Sequence, residues 1–134
     1  MTTSRTVIAY FVIAGFTGST DDITSLLGMN AEDSGTAGER RTMKGGVDYL
    51  VKDSYWKILG TVTDNTSIDG HIVELLDRLS GLESKLAGLP PEVVKKIEIV
   101  VTIAPHMSPP GWYLDAATLR RLATLGIDVE LDIG

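Results

Sequence analysis

Between Asp115 and Ile133 the spacing of apolar residues switches from the period of a helix to that of a strand with no linker between, and this switch limits the available folds more than any other stretch. Asp115 stands where a side-chain oxygen accepts from the free N–H groups of a first helical turn. Leu119, Leu122 and Leu125 recur at helical spacing, and Gly126 supplies the left-handed residue that ends a helix. Ile127, Val129, Leu131 and Ile133 then share one face of an extended segment, with Asp128, Glu130 and Asp132 on the other. A helix that returns directly into a half-buried strand must pack against a sheet.

The rest of the chain supplies that sheet. Val7–Ala14 is almost continuously apolar, the pattern of a central strand. Gly15–Thr20 is a turn, and Ser19 or Thr20 caps a short helix with Ile23, Leu26 and Leu27 inward and Gly28 at its end. Met29–Gly38 is small, polar and acidic, which predicts an exposed loop. Two strands are expected next, within Val47–Val51, a better candidate than Glu39–Met43, and within Tyr55–Val62, with Trp56, Ile58 and Val62 on one face. Thr66 or Ser67 opens the longest helix, whose apolar face runs from Ile68 to Leu86 and which Gly88 and Pro90-Pro91 stop. Ile97–Ile103 is dense in β-branched residues and reads as a second buried strand.

The expected order is strand, helix, two strands, helix, strand, helix, strand. Its first six elements are those of a ferredoxin-like β-α-β-β-α-β split unit, extended by the C-terminal helix and strand, with helices on one face of a mostly antiparallel sheet. The fold class is thus α+β in one domain spanning 1–134, and a flavodoxin-like parallel sheet is the competing reading.

Composition narrows the partners. A net charge of −6 argues against a nucleic-acid binder, because phosphate neutralisation needs clustered Lys and Arg and only Arg40-Arg41 and Lys95-Lys96 form basic pairs. There is no Cys, which removes disulfides, thiol nucleophiles and thiolate metal sites. Arg5 before Val7–Ala14 faintly echoes a signal peptide, but the run is short and β-branched, so a first strand and a cytoplasmic location are expected. Nothing approaches the ~20 apolar residues of a membrane span.

Four segments together resemble a known family: Ile23-Thr24-Ser25-Leu26-Leu27-Gly28, Trp56 in a mid-chain strand, the His71–Leu79 helix and the Leu119–Ile133 ending. In order and spacing they are similar to a bacterial domain-of-unknown-function family, number four-two-seven-nine. The chain departs from it in a loop, with Met29-Asn30-Ala31-Glu32 where a Pro follows the Leu-Leu-Gly. The resemblance implies a small bacterial α+β domain and carries over no activity and no catalytic residue.

The chemistry-bearing residues point the same way. Gly15–Thr20 precedes a helix N-terminus, where an anion is favoured, but it lacks a P-loop Lys, and Asp21 and Asp22 repel anions from that end. His71 and His106 have no metal-ligand spacing, so no metal, no cofactor and no catalytic residue is assigned. His106 and Met107 lie in a Pro-rich loop leading to Trp112 and Tyr113, aromatic types common at interfaces. With Asp128, Glu130 and Asp132 they form the candidate partner-binding set. The function expected is a non-enzymatic protein-interaction domain, with an immunity-type role against a basic toxin as one form and a homodimer through an edge strand open to it. The alternative is a regulatory domain binding a small ligand in a pocket lined by Trp56, Trp112 and Tyr10, and an enzyme using a His with an acid ranks third.

Overall fold

The N-terminal apolar run becomes a strand with neighbours on both sides. The computed structural model describes residues 5–61, 67–106 and 112–133. In chain order the elements are β1 (Arg5–Ala14), α1 (Thr20–Leu27), β2 (Asp33–Gly35), β3 (Arg40–Thr42), β4 (Asp48–Leu50), β5 (Tyr55–Leu59), α2 (Ile68–Arg78), α3 (Glu83–Ala87), β6 (Val94–Ile103), α4 (Ala116–Leu125) and β7 (Ile127–Ile133). Five strands form one sheet in the order β2-β5-β1-β6-β7, antiparallel throughout except for the parallel pair β6-β7, while β3 and β4 make a separate two-stranded ribbon. The chain is therefore an α+β protein with a mostly antiparallel sheet.

Alternation along the strands decides which face holds the core. Val7, Ala9, Phe11 and Ile13 of β1 point to the same side as Trp56 and Ile58 of β5 and Ile97, Ile99 and Val101 of β6. All four described helices add to that single cluster: Ile23 and Leu27 from α1, Ile72, Leu75 and Leu76 from α2, Leu86 from α3, Leu122 and Leu125 from α4. Trp56 is wholly buried there, and its indole N–H donates to Thr24 Oγ1 at 3.0 Å, which supplies the polar end of the ring with a partner.

The caps are those the sequence predicts. Ser19 Oγ accepts from the Asp22 amide while Asp22 accepts from the Ser19 amide, each at 3.3 Å. Ser67 caps α2, Asp115 caps α4, and Gly28 and Gly126 adopt left-handed conformations (φ 69 and 66) at the two helix ends they close.

Several expectations are corrected. Met29–Gly38 is not wholly loop: Asp33–Gly35 pairs with β5 and forms one edge of the sheet, held by main-chain bonds that need no apolar pattern. The expected strand within Val47–Val51 exists as β4, but it pairs with β3 outside the five-stranded sheet, and β2 takes the place beside β5 instead. The long helix is two helices. Gly81, with φ 88, turns the chain after Leu79, and the apolar spacing still reads as continuous because Leu79, Leu82 and Leu86 all pack toward the same core. The strand from Tyr55 ends at Leu59, and Val62 lies outside the described residues. On α4, Thr118 is buried where Leu119 is exposed.

Candidate functional site

The β3-β4 ribbon gathers four of the exposed large apolar side chains of the described surface. Met43, Val47, Tyr49 and Leu50 are 57%, 62%, 42% and 61% exposed within eight residues of chain. A free two-stranded hairpin is marginal in water, so its base must be tied down. Main-chain bonds close that base, Gly38 N–H to Val51 O and Val51 N–H to Glu39 O, both at 2.8 Å, and the Val51 side chain is buried.

Arg41 then joins ribbon to sheet. Its guanidinium donates to Glu39 at 2.6 Å, to the Tyr55 phenol oxygen at 2.8 Å and to the Ser34 carbonyl, and reaches Asp33 at 3.5 Å. Tyr55 donates onward to Asp33 Oδ2 at 3.1 Å. This fork geometry suits arginine and no other cation. The Arg41 hydrogen bond, with a further one from the Thr36 amide, holds the Glu39 carboxyl below its usual range. Burial, followed by the Asp33 charge, pushes the Tyr55 phenol up. Gly35 makes the approach feasible, because a Cβ there would lie 2.6 Å from the Tyr55 ring.

Asp33 and Tyr55 belong to the face of the sheet opposite the core, so the ribbon is anchored on the uncovered side. Across that face one register row reads Asp33, Lys57, Val12, Lys96, Asp128. Val12 is only 6% exposed although it points away from the core cluster, as the aliphatic stems of the two flanking lysines would achieve. Lys57 Nζ sits 4.7 Å from the Tyr10 ring centroid and 4.0 Å from Asp33. Ile8 and Leu59 are exposed on the same face.

The far edge is β7. Asp128, Glu130 and Asp132 are all exposed on the uncovered face, while Val129 and Leu131 pack on the core. Glu98 and Glu130 stand opposite each other in the parallel pair, and Lys96 Nζ lies between them at 3.4 and 3.2 Å. Partial burial works against that ammonium, yet the hydrogen bond to Glu130 and the two carboxylate charges outweigh it and hold Lys96 above its ordinary value.

The loop residues fall as follows. Trp112 and Tyr113 are 53% and 73% exposed, and His106 is exposed with a left-handed φ of 74. Met107 lies outside the described residues. Because β6 and β7 run parallel, Asp132 is at the end where β6 leaves toward His106, whereas Asp128 is four residues back, about 13 Å along the strand. The three acids alone thus run along β7 from one end to the other, so the candidates do not gather at one point. His71 is buried in the core, and Glu74, three residues on, accepts from the Thr61 amide at 2.7 Å. The pocket imagined between Trp56, Trp112 and Tyr10 does not form, since Trp56 has no exposed surface and Tyr10 is on the opposite face.

The Arg41 cluster was missed by sequence reasoning. Its members, Asp33, Glu39, Arg41 and Tyr55, are separated by up to 22 positions, and the visible signal was only the Arg40-Arg41 pair in a predicted strand. Among the described residues no group of three or more His, Asp or Glu side chains is placed to hold a metal, and no helix is long and apolar enough to cross a membrane.

Fold and surface define a class: a small α+β domain whose sheet is helix-covered on one side and bears an anchored, exposed hairpin on the other. The family model described as Domain of unknown function (DUF4279) matches residues 4–134, and the chain belongs to that family. No curated protein and no solved structure gives a match.

Proposed function

We propose that the chain is a non-enzymatic protein-interaction domain of the bacterial cytoplasm, with an immunity-type role as one concrete form. The observation that carries this reading is the β3-β4 ribbon, with four large apolar side chains held out on a base that Arg41 fixes. Anchors of that type, prearranged before binding, lose little entropy when a partner covers them.

The binding surface in this reading is the uncovered face from ribbon to β7. Five strands span about 19 Å between outer axes, within the footprint of a standard interface. A partner laid across it would meet Met43, Val47, Tyr49 and Leu50 at one edge and Asp128, Glu130 and Asp132 at the other. His106, Trp112 and Tyr113 extend the surface beyond the exit of β6. The acidic edge favours encounter with a basic partner. The order β6-β1-β5-β2 is that of a ferredoxin-like split unit with the ribbon inserted before its third strand, which supports that finer description of the fold.

Affinity capture from native cells tests the reading. Wild-type chain and a Met43→Asp/Leu50→Asp variant of equal melting temperature are compared at low and high salt. A partner captured by the first and lost by the second is expected, with capture weakening as salt rises. Equal capture by both, or none by either, would contradict it.

A further inference from the structure

On the helix side of the sheet, away from the proposed interface, a groove of about 440 Å³ runs between α2, α3 and α4. The chain makes it in two ways. The turn at Gly81 swings α3 away from the line of α2, and α4 presents Ala117 and Thr124 toward the gap, two small residues seven positions apart on one helical face. The floor is apolar, formed by Leu76, Leu79 and Leu125.

The rim is charged, and not evenly. Arg121 is neutralised by Asp77 at 3.0 Å. Glu83 from α3 and Arg120 from α4 also line the groove, and neither has an ion-pair partner among the described residues, including each other. One carboxylate and one guanidinium, both exposed and neither ion-paired among the described residues, therefore stand over a hydrocarbon floor. A simple anion would meet Glu83 unfavourably, and a simple cation would meet Arg120 so. A molecule with both charges and an apolar body satisfies all three parts.

We propose that this groove binds a small apolar zwitterion, of the chemical class of a free branched-chain or aromatic amino acid, with its ammonium toward Glu83, its carboxylate toward Arg120 and its side chain on Leu76, Leu79 and Leu125. The volume is within the range of small-molecule sites, and carboxylate recognition by arginine is favoured by its fork of donors.

Isothermal titration of the full chain tests this with L-leucine, L-phenylalanine, N-acetyl-leucine, leucinamide, L-alanine and hexanoate. Saturable binding of leucine or phenylalanine is expected, weakened about tenfold or more by acetylation, by amidation or by truncation to alanine. Glu83→Gln should erase the acetylation penalty alone, and Arg120→Gln the amidation penalty alone. Both residues are exposed, so the melting temperature should hold in each variant. Thr124→Leu, which fills the groove, should abolish binding. Absence of saturable heat up to about 20 mM, tighter binding of hexanoate than of either amino acid, equal binding of the capped derivatives, or binding undiminished in Thr124→Leu would each overturn the proposal.

Discussion

Arg41 Nη1 donates to the Tyr55 phenol oxygen across 2.8 Å, and that bond couples a ribbon to a sheet with which it shares no strand pairing. Three-residue strands such as β3 and β4 have too little pairing to stay ordered alone. Their order must come from the base, where one guanidinium gathers Glu39, Asp33, Tyr55 and the Ser34 carbonyl.

Replacing that guanidinium should loosen the ribbon and little else. In Arg41→Met, amide hydrogen exchange of residues 38–51 should approach the rate of unstructured chain, while β1 and β6 keep their protection. Global stability should fall by about 1 kcal/mol or less, since the cluster is partly exposed and screened. Uniform loss of protection would show that the cluster stabilises the whole fold instead.

Gly35→Ala reaches the same ribbon without changing a charge. The added Cβ would meet the Tyr55 ring at 2.6 Å, so the ring must turn and its bond with Arg41 must lengthen. A cost of about 1–3 kcal/mol is expected, with raised exchange at 38–51. Unaltered ribbon protection in this variant would separate Tyr55 from the anchoring role.

The Trp56 and Thr24 pair predicts a coupling. Thr24→Val leaves a buried indole N–H without its acceptor and should cost about 1–3 kcal/mol by denaturant unfolding. In a Trp56→Phe background, where that donor is gone, the same change should cost about 1 kcal/mol less. Additive costs would mean that the bond contributes nothing measurable.

Acid should weaken the fold through named groups. The Thr118 amide, and then its hydroxyl, hold Asp115 below the usual carboxylate range, as Arg41 and Thr36 hold Glu39. The folded pKa of each is lower than the unfolded one, so the folded state binds fewer protons there. Their stabilisation is present above the ordinary carboxylate range and is lost as pH falls through the depressed folded values. The urea midpoint should therefore drop on acidification, and Asp115→Asn, which still caps but carries no charge, should show a shallower drop. Identical pH profiles for the two proteins would remove Asp115 from the explanation.

What the sequence made legible was whatever side chains encode by spacing. Val7–Ala14, Ile97–Ile103 and the Asp115–Ile133 ending were readable because burial imposes a period on them, and Ser19, Ser67, Gly28 and Gly126 because caps demand particular residue types. β2 was not readable, since Asp-Ser-Gly joins the sheet through main-chain bonds and the polar contacts of Asp33, with no apolar pattern. The helix break at Gly81 was hidden by leucines that keep one core-facing period across two helices. Of the candidate surface, the acidic alternation on β7 was visible, but the Arg41 cluster depends on which strands pair, and pairing partners leave no mark within a segment.

We propose that the β3-β4 ribbon is a binding element rather than an inert insertion. Its most direct test is site-specific photo-cross-linking in native cells, with a photoreactive phenylalanine analogue at Tyr49 and, as a control on the helix face, at Lys85. A discrete adduct from position 49, missing at position 85 and lost when Met43 and Leu50 are changed to Asp, is the predicted result. No adduct from position 49, or the same adducts from both positions, would contradict the account.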